Sequence, residues 1–139
     1  MKLIVDNNIL FAIMQPQSIA AYIFFTARNI EWFAPNFLWV EYKEYETLIM
    51  TKSGLSEHEF EVWLKQIQAR ITSVDLEEYK RNLRHAVKMI PDPDDAPYLA
   101  LALTKGAAIW SNDKEYTLQS AIKIYTTKAL VELLLRERI

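Results

Sequence analysis

The twenty residues from Asp94 to Asp113, DDAPYLALALTKGAAIWSND, decide the fold. They open on acids and run through an alanine- and leucine-rich segment. They close on Lys105-Gly106, a cation in the last turn followed by a helix-ending glycine. Pro97 falls in the first turn, where it is tolerated. Ala107 to Ser111 then has the composition of a buried strand, and Asp113 stands just beyond it. A helix that feeds an apolar strand is half of a βαβ unit.

The same alternation runs through the rest of the chain. Lys2 to Val5, Glu31 to Ala34 (stopped by Pro35), Arg70 to Val74 and Ala121 to Tyr125 supply four more strands. Ser56 with Glu59 predicts a capping box ahead of the Phe60, Trp63, Leu64, Ile67 stripe, and Asp75 with Glu78 predicts a second ahead of Tyr79 and Leu83. The expected fold is a three-layer α/β/α domain spanning residues 1–139, with a central, mostly parallel sheet of about five strands.

Composition removes several classes of function. The chain has 139 residues, two glycines and no cysteine, so zinc-thiolate, disulfide and cysteine-nucleophile chemistry are absent. Two separated glycines make neither a P-loop nor a dinucleotide fingerprint. A formal net charge of −2 argues against coating nucleic acid with bulk positive charge. The first apolar run ends at Asp6, and Ile19 to Ala27 is also too short to span a bilayer, so a soluble, cytoplasmic protein without membrane association is expected. His58 and His85 lack the spacing of a zinc site and are expected at the surface.

Acids occupy four telling places. Asp6 follows the first strand and Asp113 the fourth, where parallel sheets bind ligands; each would also serve as an ordinary helix cap. Asp94 and Asp95 open a helix, and with Asp92 they exceed what one cap needs. On a helical wheel starting at Phe37, Glu41 falls at about 40°, between Leu48 at about 20° and Tyr45 at about 80°, so it is expected inside the apolar stripe, with Glu44 at its edge. A carboxylate there is paired with Arg or Lys, protonated, or bound to a cation. Gathered at one sheet edge, these acids repel one another unless cations neutralise them. Hard oxygen donors favour Mg²⁺ or Mn²⁺ over zinc, and such a centre suits metal-activated water attacking a phosphodiester.

In this arrangement the sequence resembles the PIN-domain family of metal-dependent nucleases, which includes toxin subunits of prokaryotic toxin–antitoxin pairs. Ile4-Val5-Asp6-Asn7-Asn8-Ile9-Leu10 is similar to the opening motif, with Asn7 where Thr or Ser is common. Pro35 through Glu41 is similar to the segment bearing a helical Glu. Asp95 through Ala102 is similar to the Asp and alanine-rich helix, and Ile109 through Tyr116 to the motif in which Ser or Thr precedes the last Asp by two. The resemblance implies Asp6, Glu41, Asp95 and Asp113 as catalytic metal ligands. Asn8 and Ser111 would support them, and Asp94 would be a rival or helper of Asp95. By its position beside Asp113, Glu115 is either an auxiliary acid or simply exposed.

The row Lys80, Arg84, Lys88, with Arg81 beside it, is either a solvated face or a ridge that tracks RNA phosphates. The largely apolar helix from Ile19 to Phe25 is either deeply buried or covered by a partner, a second copy or an antitoxin-type protein. Two rival functions stand beside the ribonuclease. A receiver-like Mg²⁺-binding regulatory domain is suggested by Thr126-Thr127-Lys128 after the last strand, though Asp75 is the one candidate phosphoacceptor. The other is a catalytically silent PIN-like scaffold that binds RNA or protein.

Overall fold

The computed structural model describes residues 1–139. Five short strands, β1 (Lys2–Val5), β2 (Glu31–Pro35), β3 (Ile71–Val74), β4 (Ala108–Trp110) and β5 (Ile124–Tyr125), lie in the order β3-β2-β1-β4-β5. Every neighbouring pair is parallel. The helices between them are α1 (Asn7–Ile13), α2 (Ile19–Thr26), α3 (Phe37–Ser53), α4 (Glu57–Arg70), α5 (Leu76–Val87), α6 (Ala96–Lys105) and α7 (Thr127–Leu135), with 3₁₀ turns at Pro93–Asp95 and Lys114–Leu118.

Alternate residues of one strand assign the layers. Trp32 of β2 packs on Phe24 of α2, with ring centroids 5.0 Å apart. The next residue, Phe33, points the other way and takes the ammonium of Lys105, at the end of α6, 5.6 Å over its ring. So α2 and α6 cover opposite faces. Phe25 of α2 meets Trp63 of α4 at 4.9 Å, putting α4 on the α2 side. On the other side α5 packs against α6, tied by Asn82 to Thr104 at 2.9 Å and Lys105 to Glu78 at 3.0 Å. The core between the layers is one cluster of 34 buried residues. It includes Trp110 and Tyr98, which are almost wholly enclosed.

Helix ends follow local chemistry. The Ser56–Glu59 capping box is formed in both directions, at 3.1 and 2.9 Å. Gly106 closes α6 at φ 62°, a left-handed conformation that a side chain would strain. The second predicted box is corrected. Asp75 makes no cap bond to α5, because its carboxylate instead accepts the Asn36 amide. β1 keeps its predicted bounds and β2 extends to Pro35, but β3 loses Arg70, β4 loses one residue at each end and β5 keeps only Ile124 and Tyr125. The helix α7 was missing from the predicted elements; Thr126 caps it by accepting the Ala129 N–H at 3.1 Å.

Candidate metal centre

Parallel pairing brings two acids to one edge. Val5 of β1 is in register with Trp110 of β4, so Asp6 and Ser111 stand side by side one step beyond the sheet. Tyrosines aside, these two are the buried polar side chains of the molecule, Asp6 2% exposed and Ser111 fully enclosed. One Asp6 oxygen caps α1, accepting the Ile9 N–H at 2.8 Å. Asp113, two residues past Ser111, caps the 3₁₀ turn after β4 by accepting the Glu115 N–H at 2.9 Å, and its own N–H donates to the Ser111 hydroxyl at 3.0 Å. Capping and ligation are therefore compatible, since each cap uses one of two carboxylate oxygens.

The helix start is arranged differently from the expectation that Asp94 or Asp95 caps it. Asp92 caps the 3₁₀ turn ahead of α6 by accepting the Asp94 N–H at 2.9 Å, and Asp95, at the start of α6, makes no cap bond. Asp95 is left to meet Asp113 and Glu115, the three offering oxygens within 4.8 Å of one another. Asp94 is exposed and lies toward Glu41, whose carboxyl it helps to push up.

Glu41 reaches the site from the rim of α3. The wheel placed it within the apolar stripe, but the buried residues of α3 are Leu38, Tyr42 and Ile49, and both Tyr45 and Leu48 are exposed. The true stripe is centred about 80° from Glu41 on the same wheel, which leaves Glu41 half-buried. Tyr98 of α6 donates its hydroxyl proton to one Glu41 oxygen at 2.5 Å, and the Asn7 amide donates to the other at 3.2 Å. Tyr116 donates to Asp95 at 3.3 Å. Each tyrosine thus braces an acid on another element.

The electrostatics are those of crowded anions without cations. Burial pushes Asp6 up to about 6, opposed by hydrogen bonds from Ser111 and Ile9 and reinforced by Asp113 and Glu41. Burial, then the charges of Asp92 and Asp113, push Asp95 up to about 7. Glu41 is raised by the same cause. The molecule has three ion pairs, Lys43–Glu46, Lys80–Glu77 and Lys105–Glu78, and none involves an acid of this edge. A buried, unpaired carboxylate beside oxygen donors without His or Cys is a donor set that fits a hard divalent cation.

A family model described as PIN domain matches residues 4–134. The chain belongs to the PIN-domain family. Solved structures share the fold at low identity. VapBC2 from Rickettsia felis, bound to a DNA fragment from their promoter, matches at 16% identity and TM-score 0.62, over 91% of this chain and 98% of that one. PAE2754 from Pyrobaculum aerophilum matches at 19% and 0.67, over 97% and 90%. FitAcB from Neisseria gonorrhoeae matches at 12% and 0.60, over 91% and 98%. No curated protein matches the sequence.

Within this PIN domain, Asp6, Asp95 and Asp113 gather at the edge with Glu41 at its rim, and Glu115 joins as the third member of the tight group. Asn8 is exposed and donates to no acid; Asn7, one residue earlier, does. Tyr98 and Tyr116 escaped the sequence reading, although each stands one turn after an acid, Asp95 and Asp113. Lys80, Arg81 and Arg84 are exposed on α5, and Lys88 is exposed at its C-cap. Because α5 runs antiparallel to α6, Lys88 lies at the acidic end of the row. Lys80 lies about 12 Å away and is paired with Glu77 at 2.8 Å. Both histidines are exposed, and no helix is long and apolar enough to cross a membrane.

Proposed function

We propose that this PIN domain is a ribonuclease dependent on Mg²⁺ or Mn²⁺, hydrolysing RNA phosphodiesters, and that it acts as a toxin held in check by an antitoxin-type protein. The observation that carries this is the unpaired acidic edge: Asp95, Asp113 and Glu115 converge, the buried Asp6 feels the charge of Asp113, and every ion pair lies elsewhere. Asp6, Asp95 and Asp113 would hold the cation, with Glu115 beside them and Glu41 at the rim. When bound, the ion lowers the pKa of the attacking water and offsets charge on the phosphate oxygens. Ser111 orients Asp6 and Asp113, Tyr98 and Asn7 fix Glu41, and Tyr116 fixes Asp95. Lys88 and Arg84 extend the site as phosphate contacts, with Arg81 and Lys80 farther along. Ile19 and Tyr22, each 63% exposed on α2, suit coverage by the inhibitor or a second copy.

The fold disfavours the receiver-like alternative. Its strand order, 3-2-1-4-5, differs from the 2-1-3-4-5 order of receivers, and Asp75 is engaged with Asn36. The silent scaffold remains the rival outcome of the test. Purified protein incubated with structured and single-stranded RNA should cleave with Mn²⁺ or Mg²⁺ and stop on adding EDTA. Cleavage unaffected by EDTA, or none with either metal, contradicts the proposal.

Tyr98→Phe supplies a finer check. The ring still fills its place in the core, so stability falls by only about 1–3 kcal/mol. Loss of the hydroxyl frees Glu41, and activity should drop about 10- to 100-fold, as for other groups that orient ligands. Unchanged cleavage kinetics would remove Tyr98 from this role.

A further inference from the structure

At the end of the sheet away from the acids lies a cavity of about 580 Å³ lined by Phe25, Thr26, Ala27, Arg28, Ile30, Trp32 and Arg70. It forms where α2 and α4 finish and β2 and β3 begin, so it shares no residue with the acidic edge. We propose that this cavity binds the terminal phosphate of a nucleotide, through Arg28 and Arg70.

Both guanidiniums stand at helix C-termini, where the macrodipole favours cations, yet neither has an acid within ion-pair distance. Neither donates a side-chain hydrogen bond to the protein. Up to five N–H donors each are available in the planar fork that fits phosphate oxygens. Glu31, the nearest acid in sequence, is not part of the wall; its register partner on β1 is Lys2.

Arg70 is seated over the Phe25 ring, 4.9 Å from its centroid, and Phe25 is itself wedged against Trp63. That cation–π contact holds the guanidinium without neutralising it, leaving its outer plane free to stack on a base. The volume is within the range of small-molecule sites and far exceeds a bare phosphate. The two cations and the stacking plane together favour a nucleoside phosphate, free or as the 5′ end of an RNA.

Calorimetric titration of the full chain in EDTA, which silences the acidic edge, tests this. The probes are AMP and a short RNA carrying either a 5′-phosphate or a 5′-hydroxyl. Saturable binding of AMP or of the 5′-phosphorylated RNA is expected, whichever is tighter naming the source. Arg28→Ala and Arg70→Ala should each weaken it at least about tenfold, with Arg→Lys intermediate because the fork is lost. Asp6→Asn should leave it unchanged, so the inference stands or falls independently of the nuclease. No binding, equal binding of 5′-hydroxyl RNA, or binding insensitive to both arginine substitutions overturns it.

Discussion

Replacing Asp6 by Asn is expected to cut RNA cleavage at least about 100-fold, because losing one ligand charge removes several kcal/mol of transition-state stabilisation at a metal site. The same variant should fold normally. The Asn side-chain oxygen can still accept the Ile9 N–H that Asp6 accepts at 2.8 Å, so the α1 cap survives. The substitution also removes a buried charge with no cationic partner. Metal-free Asp6→Asn should therefore unfold at a higher temperature than the parent at pH 7.5. Rates measured in Mn²⁺ beside thermal melts in EDTA separate the effects. Parent-level cleavage by a well-folded variant contradicts the assignment of Asp6.

The metal-free protein should lose stability as pH rises, the reverse of ordinary acid behaviour. Asp6 and Asp95 hold their protons up to about 6 and 7 in the folded state, against 3.8 ordinarily. A raised carboxyl favours the folded state most fully below the ordinary value, and that advantage fades as pH climbs through the folded values. Between pH 5 and 8 the two acids should cost ~2 kcal/mol, with Asp95 discounted for its access to water. That corresponds to a melting temperature lower by roughly 5–10 °C for a domain of this size. Saturating Mn²⁺ at pH 7.5 should more than restore it, since a ligand at about 100 times its Kd contributes about 2.7 kcal/mol. A melting temperature flat across this range in EDTA, with no response to Mn²⁺, is the contrary result.

Much of this was legible in the chain because it is local. Strand ends followed by acids, the Ser56 box and the Lys105-Gly106 stop depend on neighbours within a few residues, and they bring Asp6, Asp95 and Asp113 toward one sheet edge. Glu41 was harder. Its helix buries a face set by contacts with other elements, and those contacts leave Tyr45 and Leu48 in water. The braces were out of reach for the same reason. Tyr98 serves Glu41 across 57 positions and Asn7 serves it across 34, distances over which sequence spacing carries no information. Asp75 shows the converse: a well-formed local cap signal was displaced by Asn36, 39 positions away. The helix α7 has an ordinary Thr cap, and only its packing against α2 shows why it is needed.

Anomalous diffraction from crystals soaked in Mn²⁺ tests the centre most directly. A peak is expected at roughly 2 Å, ordinary metal–oxygen bonding distance, from carboxylate oxygens of Asp95 and Asp113, with Asp6 or Glu115 completing the set. A peak bound elsewhere, or none at this edge under saturating Mn²⁺, would contradict that centre.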